Sequence, residues 1–346
     1  VSSTALRFRH WSLSFVGHEQ DPCHRRVCDD LSGSEIIEPW ETSSRFGRMT
    51  GPISSCTSTQ TRPELADLLD STTFATNACG VARAGRTRRV TKTVSFANGG
   101  EIPVIGFGTW QIKGQTCVDA VRTALRSDYR HVDTATMYGN EAEVGAAWQD
   151  SGLPRDDVFL TTKLPPRLAG KAHRTLEQSL RSLGTDHVDL WLIHWPPGGV
   201  DASAALWAEF IKARDAGLTR YIGVSNYSPA QIDLLVRTGG EAPVLNQIPF
   251  GPNDWDADLV AAHVERGVVV EGYSGLKRTD LRAPALVAAA QAHGVSVPQV
   301  VVRWHVQHDV VVIPKSKTPD RIAANIDVDG FALTADEMAA IDALGS

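Results

Sequence analysis

From residue 90 onward the chain alternates short β-rich runs with amphipathic helical stretches, and it does so eight times. The runs that read as strands are 104–108, 131–135 (HVDTA), 158–163 (VFLTTK), 188–194 (VDLWLIH), 221–226, 244–248, 268–273 and 310–314. Between them lie helical segments such as CVDAVRTALRS and AHRTLEQSLRSLG, the second stopped by Gly184 in the way a glycine ends a helix. Eight βα units in about 255 residues match the size and order of a (β/α)8 TIM barrel. A doubly wound sheet would need a Gly-x-Gly-x-x-Gly phosphate turn. Here Gly106 and Gly108 are followed by Gln111 where the third glycine belongs. The expected fold is therefore α/β, a TIM barrel over residues 90–346. A hairpin turning at Asn98-Gly99-Gly100 should precede its first strand.

Residues 1–89 have a different texture. They show no sustained hydrophobic period, hold eleven Arg and no Lys, and are broken by Ser, Thr, Gly and Pro. We read them as a low-order N-terminal extension. No apolar core follows a basic start, which argues against a secretory signal, and Glu19, Asp21, Asp29 and Asp30 argue against a transit peptide. The chain opens on Val1 and the barrel region on Val90, and either valine is readable as an alternative start. The expectation is a mis-called start upstream of Val90, testable by the intact mass of the natural protein.

Charge narrows the partners. A formal net charge of -6 and a pI near 6.0 disfavour a general nucleic-acid or membrane-surface binder. No apolar run reaches the ~18 residues of a membrane span. Four of the five cysteines (Cys23, Cys28, Cys56, Cys79) precede residue 90 without a Cys-x-x-Cys pair, and no metal site is expected, including at Cys23, His24 and Cys28. A barrel region with Cys117 alone fits a reducing cytoplasm.

In TIM barrels the active site lies at the carboxyl ends of the strands. There the sequence places Asp133 and, just beyond, Tyr138, then Lys163, His194, Ser225-Asn226, Gln247 and Tyr273. A lysine ending a buried strand needs a charge partner, because an unpaired buried ammonium is costly. Asp133 on the next strand can supply it. A fixed ammonium beside Tyr138 should lower the phenol below its usual value near ~10 and make it a proton donor. His194 can orient a carbonyl or assist the proton transfer. A hydride has to come from a cofactor. Ser225, Asn226 and Gln247 are candidates to hold a carboxamide and Tyr273 to stack on a nicotinamide. Lys315, Ser316 and Arg321, beside a helix starting near Thr318-Pro319, are candidates for a phosphate site.

The motifs GFGTW, HVDTATMYGNE, TTK, LIHWP, GVSNY, NQ, EGYS and IPKS....RI..N resemble, in order and spacing, those of the aldo-keto reductase superfamily over about residues 92–344. The brief tail is most similar to the bacterial 2,5-diketo-D-gluconate reductase type. The resemblance implies a barrel that binds NADPH/NADP and reduces a small carbonyl compound. Tyr138 would be the general acid, Asp133 and Lys163 would set its pKa, and His194 would position the carbonyl. It implies cofactor contacts at Gly108, Thr109, Ser225, Asn226, Gln247, Tyr273, Ser274, Leu276, Lys315, Ser316 and Arg321, with Asn325 toward adenine. Trp110 and Trp195 would line an apolar substrate pocket, although plain barrel packing is the alternative. A monomer is implied.

Two departures from the family pattern bear on the cofactor. Gly275 and Lys277 replace Pro and Gly in Tyr-Ser-Pro-Leu-Gly, which should loosen that loop and add a positive charge. Ala324 replaces a Glu common beside the adenine contact, which should weaken cofactor affinity. The rival functions are an NAD-preferring alcohol or hydroxysteroid dehydrogenase and an NADPH-binding redox-sensing subunit. A metal-dependent hydrolase lacks its ligand cluster.

Overall fold

The computed structural model describes residues 92–345. The expectations for residues 1–89, including those on Cys23, His24 and Cys28, lie outside the described residues. The chain opens with a hairpin, β1 (Thr93–Ser95) and β2 (Glu101–Pro103), paired antiparallel with Val94 opposite Ile102. It turns where the sequence predicts: Phe96 N–H donates to Gly100 O (2.7 Å), and Gly99 N–H to Phe96 O (3.0 Å).

Eight parallel strands follow in one sheet, in chain order: β3 (Phe107–Gly108), β4 (His131–Asp133), β5 (Phe159–Leu164), β6 (Val188–Ile193), β7 (Thr219–Ser225), β8 (Leu245–Pro249), β9 (Val269–Tyr273) and β10 (Val311–Val312). Each lies within two residues of the run read as strand, except that β3, β4 and β10 are shorter. The first and last staves meet. Ile105 bridges Val312 in parallel, Gly106 N–H donates to Val312 O (2.8 Å), Val312 N–H to Val104 O (2.9 Å) and Gly108 N–H to Pro314 O (3.3 Å). This seam closes the sheet.

Period two along each strand sorts the side chains. Val132, Leu160, Trp191, Ile193, Ile222 and Val224 face outward into the core shared with the helices. Leu190, Leu192, Leu245 and Val311 face inward and pack with Phe96 and Ile102 of the hairpin, which thereby stops the amino-terminal mouth. Polar residues of the same inward parity gather at the other end: Asp133, Lys163, Ser225 and Gln247, all buried. The helices Gly114–Arg126 and Ala172–Leu183 cover the outside, and Gly184 ends the second in the left-handed region (φ 65°). Helix Pro319–Ile326 begins as read, with Thr318 at its N-cap and proline in its first turn.

Candidate active site

Tyr138 closes a single 3-10 turn, Thr136–Tyr138, rather than an open loop after β4. Thr136 pins this turn to β5 by donating its hydroxyl to Lys163 O (3.0 Å). Asn140, fully buried, stitches the next bend: its amide donates to Thr109 O (3.0 Å) and Ile112 O (2.9 Å), and its oxygen accepts from Thr134 Oγ1 (2.8 Å). Buried Glu141 accepts from Thr162 Oγ1 at 2.6 Å. The motif Tyr-Gly-Asn-Glu thus combines one residue for the cavity with two that hold its frame. Sequence reasoning missed that framing role.

Lys163 is fully buried. Its ammonium donates to Asp133 Oδ1 (2.6 Å), Thr134 O (2.8 Å) and Tyr138 Oη (3.4 Å). Asp133 Oδ2 accepts from Gln247 Nε2 at 2.9 Å. The acid, the cation and the phenol meet as expected, but the net effect on the phenol does not. Burial, the largest influence, raises Tyr138 above its ordinary pKa; Lys163 lowers it and Asp133 raises it again. The expectation of an acidified phenol is therefore corrected: in this cavity Tyr138 is held protonated, and Lys163 moderates the effect of burial. Desolvation, the largest influence on Lys163, opposes its charge, but the paired Asp133 carboxylate outweighs it and the group is raised, so it remains an ammonium.

His194 follows β6 and packs edge to face with Tyr138 (ring centroids 5.8 Å) and stacked on Trp195 (4.0 Å). Burial, then Lys163, push its pKa down to about 2, so the imidazole is neutral at every working pH. Its buried Nδ1 has no partner among the described residues. Asn226 lies in the left-handed region (φ 64°) at the end of β7, a conformation asparagine tolerates. Its amide donates to His194 O (3.0 Å) and Ser225 Oγ (2.9 Å), and its oxygen accepts from Tyr273 Oη (2.8 Å). Ser225 Oγ donates to Gln247 O (2.8 Å).

Asp133, Tyr138, His194, Ser225, Asn226, Gln247 and Tyr273 line one cavity of about 530 Å³, with Gly108, Ser274, Leu276 and Lys315 also in its wall and Lys163 behind it. Trp110 and Trp195 stand 42% and 40% exposed at its mouth, beside Met137 at 45%, which rules against plain barrel packing for the two tryptophans. Thr109, Ser316, Arg321 and Asn325 do not line it. Thr109 Oγ1 donates to Asp133 O (2.9 Å) behind the wall, and Ser316 Oγ accepts from Thr318 N–H (3.1 Å) in its own turn. Arg321 is exposed on helix Pro319–Ile326, and Asn325 is buried there.

The loop after β9 departs from expectation. Gly275 is buried and opens the one-turn helix Gly275–Arg278, with its carbonyl accepting from Thr279 Oγ1 (2.6 Å). A Cβ there would come 3.0 Å from Phe250 O and 3.1 Å from His305 Cε1. The glycine permits close packing and does not loosen the loop. Lys277 does add charge: its ammonium lies 5.4 Å over the Trp110 ring, and it and Lys317 depress the pKa of Lys315, after burial. Cations gathered at one end and a flat phenol in the wall form a set suited to an anionic, aromatic cofactor. Among the described residues, no cluster of three His, Cys, Asp or Glu side chains could hold a metal.

A parallel barrel with an acid, a lysine, a phenol and a histidine at its carboxyl end defines a class, and the comparisons agree. The aldo/keto reductase family model matches residues 104–346, and the chain belongs to that family. It is 41% identical over 256 residues to 2,5-diketo-D-gluconic acid reductase B of Corynebacterium sp. (strain SHS752001), covering 73% of this chain and 92% of that protein. It is similar to an aldo/keto reductase structure from Brucella melitensis (TM-score 0.71, 41% identity, 73% of this chain and 99% of that one). A Bombyx mori aldo-keto reductase in complex with NADP is also similar (TM-score 0.68, 32% identity, 73% and 92%).

Proposed function

We propose that the protein reduces an aldehyde or ketone to the alcohol with NADPH, using Tyr138 as the general acid. The observation that carries this reading is Lys163, fully buried behind the cavity wall yet in contact with both Asp133 and Tyr138, which line a cavity whose mouth is aromatic. Reduced nicotinamide, when bound, supplies the hydride. Tyr138 holds its proton through neutral pH because burial favours the neutral phenol. It gives that proton to the carbonyl oxygen as negative charge builds there, and the Lys163 ammonium holds the phenolate that remains. Neutral His194 hydrogen-bonds the carbonyl and fixes its direction.

Ser225, Asn226 and Gln247 would take the carboxamide, and Tyr273 would stack on the ring. Lys315, Ser316 and Arg321 would meet the adenosine 2'-phosphate, with Asn325 toward adenine. The NADP complex of the Bombyx mori relative supports NADP(H) over NAD. So does Arg321, exposed and without an ion-pair partner among the described residues. The reading extends to a cytoplasmic monomer acting on a small carbonyl compound, with no nucleic-acid or membrane partner. The test is NADPH oxidation across a panel of aldehydes, ketones and α-diketones. Turnover should be lost in Tyr138→Phe while NADPH still binds. Tight NADPH binding without turnover across the panel would favour the sensor instead.

A further inference from the structure

One acid beneath the site has no part in the chemistry above. Glu271 lies on β9 with the inward parity of Val269 and Tyr273, and it is fully buried. Neither of its carboxyl oxygens has a hydrogen-bond partner among the described residues. From the opposite wall His131 brings Nε2 to 4.0 Å from Glu271 Oε1, while the same nitrogen is 3.1 Å from Thr161 Oγ1. Gln247 stands beside Glu271 in the β8–β9 register but donates to Asp133.

Two buried carboxyl groups therefore share one lysine, and the donors are unequally divided. Asp133 receives both Lys163 Nζ and Gln247 Nε2. A second buried carboxylate with no donor at full hydrogen-bonding distance is strongly disfavoured, so this arrangement keeps Glu271 protonated beside the Asp133–Lys163 pair. Burial and then Asp133 raise Glu271 to about 8, with Lys163 and, less, the Gln247 amide opposing; that amide is within hydrogen-bonding distance of Asp133 (2.9 Å) and only near Glu271. His131, driven to about 3 by burial and Lys163, provides no charge of its own.

We infer that Glu271 is a positioning residue: the proton it carries keeps the Asp133–Lys163 pair electrically balanced behind Tyr138, and losing that proton makes Tyr138 a weaker acid. The inference rests on the proposed role of Tyr138. When Tyr138 passes its proton to the substrate oxygen, Asp133, Lys163 and the phenolate together hold one net negative charge. A protonated Glu271 leaves it at one; an ionised Glu271 makes it two in the same dry interior. The titratable groups facing Glu271 are Asp133 and His131 from β4, Tyr138 from the turn after it and Lys163 from β5. The adjacent strands present Gln247 and Val311 in register, and neither titrates.

The test compares wild-type apoprotein with Glu271→Gln. Infrared difference spectra should show, at pH 7, the carbonyl stretch of a protonated carboxylic acid that disappears as pH rises through about 8 and is missing from the variant. Phenolate absorbance of Tyr138, isolated by subtracting Tyr138→Phe, should titrate at least about half a pH unit lower in the variant, because a neighbouring negative charge has gone. A purely packing role for Glu271 would leave that titration in place. Absence of the band from wild type at pH 7, or an unmoved Tyr138 titration in the folded variant, overturns the inference. Glu271→Met, which removes the carboxyl without adding an amide, repeats the test if the glutamine variant does not fold. Both signals present in a protein that turns over no carbonyl would refute the reductase reading and leave this charge assignment standing.

Discussion

Replacing Lys163 with methionine keeps the stem of the side chain and removes its ammonium. Asp133 then retains Gln247 at 2.9 Å as a donor but loses a cation at 2.6 Å, in a site 2% exposed. Breaking a buried ion pair by deleting one partner costs about 3–5 kcal/mol, because the surviving charge is stranded. For a domain of this size that corresponds to a fall in melting midpoint of roughly 6–20 °C. Asp133→Asn combined with Lys163→Met removes both charges and should recover most of the loss, since two neutral groups strand nothing. Urea unfolding at pH 7, with the slope checked for constancy, measures both variants. On the proposed chemistry carbonyl reduction should fall by about 100-fold or more in each, because a phenolate left on Tyr138 would lose its cation. A cost below about 1 kcal/mol for the single variant, typical of exposed pairs, would refute the reasoning. So would a double variant no more stable than the single one.

Arg321→Ala should raise the KM for NADPH far more than that for NADH, since the phosphate that distinguishes them is what the guanidinium would meet; equal effects in steady-state kinetics would remove that assignment. Gly106→Ala should destabilise by about 1–3 kcal/mol, because its Cβ would collide with the fully buried His131 ring. A denaturation midpoint within experimental scatter of wild type would count against that packing.

Much of this architecture is legible along the chain. Strands and helices alternate in period two and period 3.6, and glycine or a proline-bearing N-cap marks where helices stop and start, as at Gly184 and Thr318-Pro319. The pairing of Asp133 with Lys163 was legible for a simple electrostatic reason: adjacent strands place both at the same end, and a buried ammonium requires a partner. The acidity of Tyr138 was not, because its direction depends on how deeply the phenol is covered, a quantity fixed by tertiary packing. Gly275 reads as a flexible substitution until Phe250 and His305 are placed against it. Glu271 and His131 lie on opposite walls of the barrel, so no pairing rule along the sequence connects them. The only clue was an acid inside the apolar run Val-Val-Val-Glu-Gly-Tyr.

The barrel's fastening has its own consequence. β3 and β10 are two residues long each, and they are joined through Ile105, Gly106 and Gly108 on one side and Val312 and Pro314 on the other. Gly108, Val312, Ile313 and Pro314 of that joint also line the cavity. A hoop parts first where its fewest rungs are, and here the clasp underlies the binding cleft. Whatever molecule spans both lips of the clasp therefore acts as a rivet, tightening the whole hoop by an amount set by its own affinity.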